Sequence, residues 1–181
     1  MATPRPPDPV LLVVAAFSRH PEALEWARER LLEAFGTIGL TSADFIFDQT
    51  AYYAATMGTD LRKRFFVFAE LIAPDRLAAI KLQTNELEEA LARAGTHPDP
   101  RPLNLDPGIL NLGKFLLATT KDQAHRVYLR DGIFAEVTLR FQAGAFEPWP
   151  WTYADYREPG VRAFLAEARA YYKDRLRHGK E

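Results

Sequence analysis

The run Val10-Leu11-Leu12-Val13-Val14-Ala15-Ala16-Phe17 constrains this chain more than any other stretch. It is wholly apolar and rich in β-branched valine, with no alternation that would leave one face wet. Such a run reads as a central strand covered on both faces. It is far short of the ~20 residues that span a bilayer. Residues 1–9, MATPRPPDP, are too rich in proline for regular structure and read as an extended arm. A helix cap, and no small-residue cleavage site, follows the run, so a signal peptide is a poor reading. The chain is expected to be cytoplasmic, with no membrane partner.

Ser18 or His20 sits near an N-cap, and Leu24, Ala27, Leu31 and Phe35 follow at helical spacing up to Gly36. Asp44–Asp48 reads as a second strand. The stretch Thr50–Gly58 admits two readings: a loop that closes over something, or a short strand leading into a turn. Arg64–Ile72 is a buried strand. Pro74 and Asp75 open a helix that turns Leu77, Ile80, Leu87 and Leu91 inward and stops at Gly95. One further strand would complete a ferredoxin-like split βαβ unit. The proline-laden loop Thr96–Pro102 delays that strand, and is too short to separate domains.

Leu103–Gly108 then reads as a strand end and a turn, with Pro107 presetting φ and Gly108 taking the left-handed position. Lys114–Thr120 is the next strand, and His125–Leu129 with Ile133–Phe141 form a hairpin. Phe146–Tyr156 cannot be regular through its two prolines and reads as an aromatic buttress. A last amphipathic helix runs from Pro159 to about Arg177. At 181 residues the chain suffices for one core-forming domain and is too short for two comfortable ones. The expected fold is therefore a single α+β domain: a mainly antiparallel sheet of about six or seven strands with three helices packed on it.

The register of the hairpin follows from burial. A two-residue Asp131-Gly132 turn would pair Arg130 with Ile133. A three-residue loop with Gly132 left-handed pairs Leu129 with Ile133 and puts Val127, Leu129, Ile133, Ala135, Val137 and Leu139 on one face. One face must be buried, which favours the second register. It sets Arg126 opposite Glu136 and Tyr128 opposite Phe134. The Arg–Glu pair is then either a half-exposed salt bridge worth ~0.2–1 kcal/mol, or an anion holder if its face floors a cleft.

Polar residues of catalytic type concentrate between Asn104 and Glu136. The hydroxyls of Thr119 and Thr120, the Lys121 ammonium and the Arg126 guanidinium suit phosphate or carboxylate. Asp106, Glu136 and His125 are the candidate catalytic groups. Should Glu70 converge with Asp106 and Glu136, the three carboxylates could hold Mg²⁺. No cysteine is present, which excludes disulfides, thiolate zinc sites and a cysteine nucleophile. With 23 basic against 24 acidic residues, charge favours no polyanionic partner, and nucleic acid is an unlikely one. The tyrosines and tryptophans of 149–156 could stack bases, but beside that neutral balance they read as core. The P-loop, the glycine pattern of flavin or NAD sites, H-E-x-x-H and G-x-S-x-G are all missing.

Several motifs carry a family resemblance. Arg101-Pro102-Leu103-Asn104-Leu105-Asp106-Pro107-Gly108, Leu117-Ala118-Thr119-Thr120-Lys121-Asp122, His125-Arg126-Val127-Tyr128-Leu129 and Pro150-Trp151-Thr152-Tyr153 resemble the hallmarks of domain-of-unknown-function family 4416. Gly132-Ile133, Ala135–Leu139, Tyr52-Tyr53 and Met57-Gly58 fit as well, so the likeness covers nearly the whole chain. It implies a prokaryotic source and no established reaction. Some members carry a GTP-binding label, whereas this sequence lacks both a P-loop and Asn-Lys-x-Asp.

Two functions are thus in view. One is binding of, or action on, a small phosphorylated or carboxylated metabolite or nucleotide at a polar cleft, with Mg²⁺ a possible cofactor. The other is a non-catalytic interaction module built on the Tyr/Trp segment and the last helix. A deep polar pocket would favour the first, and a broad exposed apolar patch the second.

Overall fold

The computed structural model describes residues 3–49 and 52–178. In chain order its elements are β1 (Val10–Ser18), α1 (Pro21–Phe35), β2 (Ile38–Thr41), β3 (Phe45–Phe47), α2 (Ala54–Met57), β4 (Leu61–Ile72), α3 (Leu77–Ala94), β5 (Asn104–Leu110), β6 (Lys114–Thr119), β7 (Val127–Arg130), β8 (Ile133–Gln142), β9 (Ala145–Pro148), α4 (Ala154–Arg157) and α5 (Pro159–His178). Every residue of β1 is buried. Its side chains divide between two cores. Leu12, Val14 and Ala16 pack with α1 and α3, while Leu11, Val13 and Ala15 pack with α5 through Leu165, Ala168 and Tyr172. The fold is thus a sheet with helices on both faces, as a strand without alternation requires.

The sheet order is β2-β4-β1-β5-β6-β8-β7, with β3 added to β4 and β9 to β8, and the pairings are antiparallel. The class is α+β, but nine strands and five helices among the described residues exceed the expected six or seven and three. The surplus consists of elements such as β2, β9, α2 and α4, four residues each, too short to carry a periodic signal. In the first half, β1–α1–β2 crosses the position of β4, and β4–α3–β5 crosses that of β1. The two crossovers interleave as in a split βαβ unit. Among the described residues no helix is long and apolar enough to cross a membrane.

Three local readings are corrected. Thr50 and Ala51 lie outside the described residues, but Ala54–Met57 is a helical turn, neither loop nor strand, with Met57 packed beside Phe17 and Phe47. The segment Phe146–Tyr156 is regular at both ends, in β9 and α4, and Tyr156 is buried against Phe65 and Phe115. Pro107-Gly108 is no turn: β5 runs straight through it, with Val14 opposite Pro107 and Val13 opposite Gly108. Gly108 is needed for close approach, since a Cβ there would collide with the Leu116 carbonyl oxygen on β6.

The hairpin combines both registers considered. Asp131 (φ 53°) and Gly132 (φ 77°) are both left-handed, and Arg130 pairs with Ile133 across a two-residue turn. An irregularity at Leu129 then restores Tyr128 opposite Phe134 and Val127 opposite Ala135. The expected common face does not form. β7 is the sheet edge, leaving Val127 69% exposed, and a shift between Phe115 and Leu116 in the β6–β8 register moves Leu139 into the α5 core.

Candidate functional site

β5 and β6 pair only from Gly108 to Leu110. Beyond that, β5 stays on β1 as far as Asn104, and β6 stays on β8 as far as Thr119. Pro107 has no N–H for another rung, so the strands part there. A cavity of about 560 Å³ occupies the parting. Both layers reach it: Lys81 and Asn85 from α3, Asp155 and Tyr156 from α4.

Five of the expected site residues line this cavity: Asp106, Thr119, Thr120, Lys121 and Glu136. Arg126 and His125 do not, and stand behind Glu136. Arg126 Nε donates to Glu136 Oε2 at 2.8 Å, and His125 Nε2 is 3.2 Å from the same oxygen. Thr138 Oγ1 donates to Oε1 at 3.3 Å. The other Arg126 nitrogens donate to the Lys121 carbonyl at 2.9 Å and to Tyr153 Oη at 2.6 Å. Three of the five guanidinium N–H groups are thus given to protein acceptors. β7 begins only at Val127, so strand alternation does not separate His125 from Arg126. His125 also stacks on Trp151, which stacks on Trp149.

The carboxylate cluster does not form. Glu70 is exposed and lies beside Gly36, far from the cavity lining. Asp106 instead meets a lysine, its Oδ1 being 3.7 Å from Lys81 Nζ.

The cations that matter most were not legible as site residues. Lys63 is buried, paired with Asp155 and placed over the rings of Phe17, Phe47 and Tyr156 at 4.7–4.9 Å. Lys81 Nζ donates to the Leu105 carbonyl at 2.7 Å and lies 3.9 Å from Glu88. Arg101 donates to Glu88 Oε2 at 2.8 Å and to Asn104 Oδ1. Glu88 Oε1 accepts the Leu105 N–H at 2.7 Å, and burial raises its carboxyl pKa while Lys81 and Arg101 pull it down. A signal was present. Lys63 alternates in phase with Phe65 and Val67, and Lys81 and Glu88 fall on the apolar stripe of α3. Ionisable groups on apolar faces are seldom left without partners.

Aromatic hydroxyls complete the lining. Burial, reinforced by Asp155, holds the Tyr156 phenol well above its usual pKa, and burial also raises Tyr53 and Tyr153, so these remain neutral. At the mouth Lys121 Nζ donates to Tyr52 Oη at 3.0 Å and lowers the Tyr52 pKa. Among the described residues, Gln49 Oε1, Asn104 Nδ2 and Tyr156 Oη are buried atoms without a hydrogen-bond partner, and all three residues line this cavity. Such atoms are uncommon, because each forgoes its bonds to water.

No curated protein and no solved structure matches the chain. A family model described as "Domain of unknown function (DUF4416)" matches residues 8–172, nearly the whole chain, and the protein belongs to that family.

Proposed function

We propose that the cavity binds a small anionic metabolite of up to nucleotide size, bearing phosphate or carboxylate together with hydroxyl or amino groups. One observation carries this reading: the orphaned atoms of Gln49, Asn104 and Tyr156 and the cations Lys63, Lys81, Arg101 and Lys121 belong to the lining of one cavity. Its size of about 560 Å³ is within the ~300–1,000 Å³ of small-molecule sites.

The roles divide by charge. Lys81, Arg101 and Lys121, with the Thr119 and Thr120 hydroxyls, receive the anion. Asp106 and Glu136 accept hydrogen bonds from the ligand's hydroxyl or amino groups, and are the acid–base groups of any reaction there. Arg126 and His125 act through Glu136 by fixing its carboxylate. Tyr52 and Tyr53 offer ring faces to a base or sugar. The interaction-module reading is less favoured because the apolar stripe of α5 is already spent on the sheet.

The test is a thermal-shift screen of nucleotides, sugar phosphates and carboxylates, with and without Mg²⁺. A ligand at ~100 times its Kd adds about 2.7 kcal/mol and raises the melting temperature. That gain should shrink in Lys81→Met and in Lys121→Met, the second being an exposed position that spares the fold. An equal shift in both variants and the wild type would place the ligand elsewhere. No shift with any compound would transfer the assignment to the interaction module.

A further inference from the structure

Away from the cavity, at the start of α1, His20 and Glu22 meet His97 of the loop 96–102. His20 Nδ1 and His97 Nε2 each lie 3.6 Å from Glu22 Oε1, and the three ligand-type atoms are all within 4.8 Å of one another. We propose that His20, Glu22 and His97 bind a divalent transition-metal ion, with Zn²⁺ the best fit.

The distances suit such an ion. Two ligands about 2.0–2.1 Å from a tetrahedral centre are themselves roughly 3.3 Å apart, so small side-chain rotations close the site. Glu22 is 67% exposed and free to make them. The donor set of two imidazoles and one carboxylate suits Zn²⁺ and its neighbours, and is a poor one for Mg²⁺ or Ca²⁺.

The outer partners of both rings aim the correct nitrogens. His20 Nε2 is 2.6 Å from Asp99 Oδ2, a carboxylate that can only accept, so Nε2 carries the proton and Nδ1 presents its lone pair toward Glu22. Thr96 Oγ1 lies 3.0 Å from His97 Nδ1, and this hydroxyl can accept the Nδ1–H of the tautomer whose Nε2 is free to ligate. A carboxylate behind a histidine is the usual outer partner of a metal ligand. The rings are 4.7 Å apart and tilted by 56°, converging on the carboxylate between them. Three protein ligands leave a fourth position for water.

The ion would pin the loop 96–102 to the start of α1. That loop carries Arg101, which lines the cavity, so the metal would hold a cavity wall in place. The assignment does not depend on what the cavity binds.

The test uses the whole chain, stripped with EDTA and titrated with ZnCl₂ by calorimetry, and with Co²⁺ followed by its visible absorption. The expected result is one ion per chain with a tetrahedral Co²⁺ spectrum, and no binding of Mg²⁺. His97→Ala should abolish binding while circular dichroism shows a folded protein. Glu22→Gln, on the surface, keeps the test valid should His97→Ala unfold. Asp99→Asn should weaken binding ~10–100-fold. Acid should weaken it too, because both imidazoles must be neutral to ligate. Amide exchange within 96–101 should slow on adding Zn²⁺. Absence of Zn²⁺ binding, or binding unchanged in both His97→Ala and Glu22→Gln, would overturn the site. Unchanged exchange would overturn its role as a clamp.

Discussion

Arg126 Nε stands 2.8 Å from Glu136 Oε2, and each side chain is only 1% exposed. Both charges are largely removed from water, and each is the other's closest ionic partner. Arg126→Met or Glu136→Leu alone leaves one buried charge without its main ionic partner, at a cost of about 3–5 kcal/mol. The double variant should lose less than the sum of the two, by ~0.5–3 kcal/mol. Urea unfolding of the four proteins measures this, and strictly additive losses would refute the coupling.

Gly108 and Gly132 should respond to alanine for different reasons. At Gly108 the new Cβ meets the Leu116 carbonyl and the Phe115 ring, so β5 and β6 must separate, costing about 1–3 kcal/mol or more. At Gly132 there is open space but φ is 77°, so the cost is only backbone strain, about 1–2 kcal/mol. The distinguishing measurement is ligand binding in the cavity. Gly108→Ala should impair it, whereas Gly132→Ala at the hairpin tip should leave it intact.

Glu88 ties stability to pH. Burial raises its carboxyl pKa above the ordinary 4.5 in the folded protein, against the pull of Lys81 and Arg101. The folded state therefore keeps this proton where the unfolded chain has released it. Stability from the group is complete below 4.5 and declines as pH rises through the raised folded value. Glu88→Gln removes that decline, so the stability difference should move in the variant's favour as pH rises above 4.5. Parallel curves for the two proteins would contradict the assignment.

Lys121 lowers the pKa of Tyr52 through a hydrogen bond and its charge. In Lys121→Met the Tyr52 midpoint should climb back toward 10, while the buried tyrosines stay unionised at that pH. Alkaline absorbance titration shows it as one tyrosine moving. No movement would mean that the contact at the mouth does not persist in solution.

Much of the framework was legible because it is written locally. The unbroken apolar run of β1 demanded cover on two faces, and α1, α3 and α5 supply it. Arg126 and Glu136 could be matched from sequence because they are 10 residues apart, within reach of one hairpin. Pro107-Gly108 shows where local reading misleads: the pair favours a turn in isolation, yet β1 holds Pro107 extended and β6 leaves Gly108 no room for a Cβ. Lys63 and Asp155 show where it ends. They are 92 residues apart, and nothing near either position names the other. Strand order alone brings them together, and with them Lys81 and Arg101 around the parting of β5 and β6. Along α1, α3 and α5 periodicity determined which residues are buried, because it depends on a few neighbours along the chain, whereas on the edge strand β7 it did not. Which buried charges share one cavity was decided by long-range pairing, for which the sequence carries no local mark.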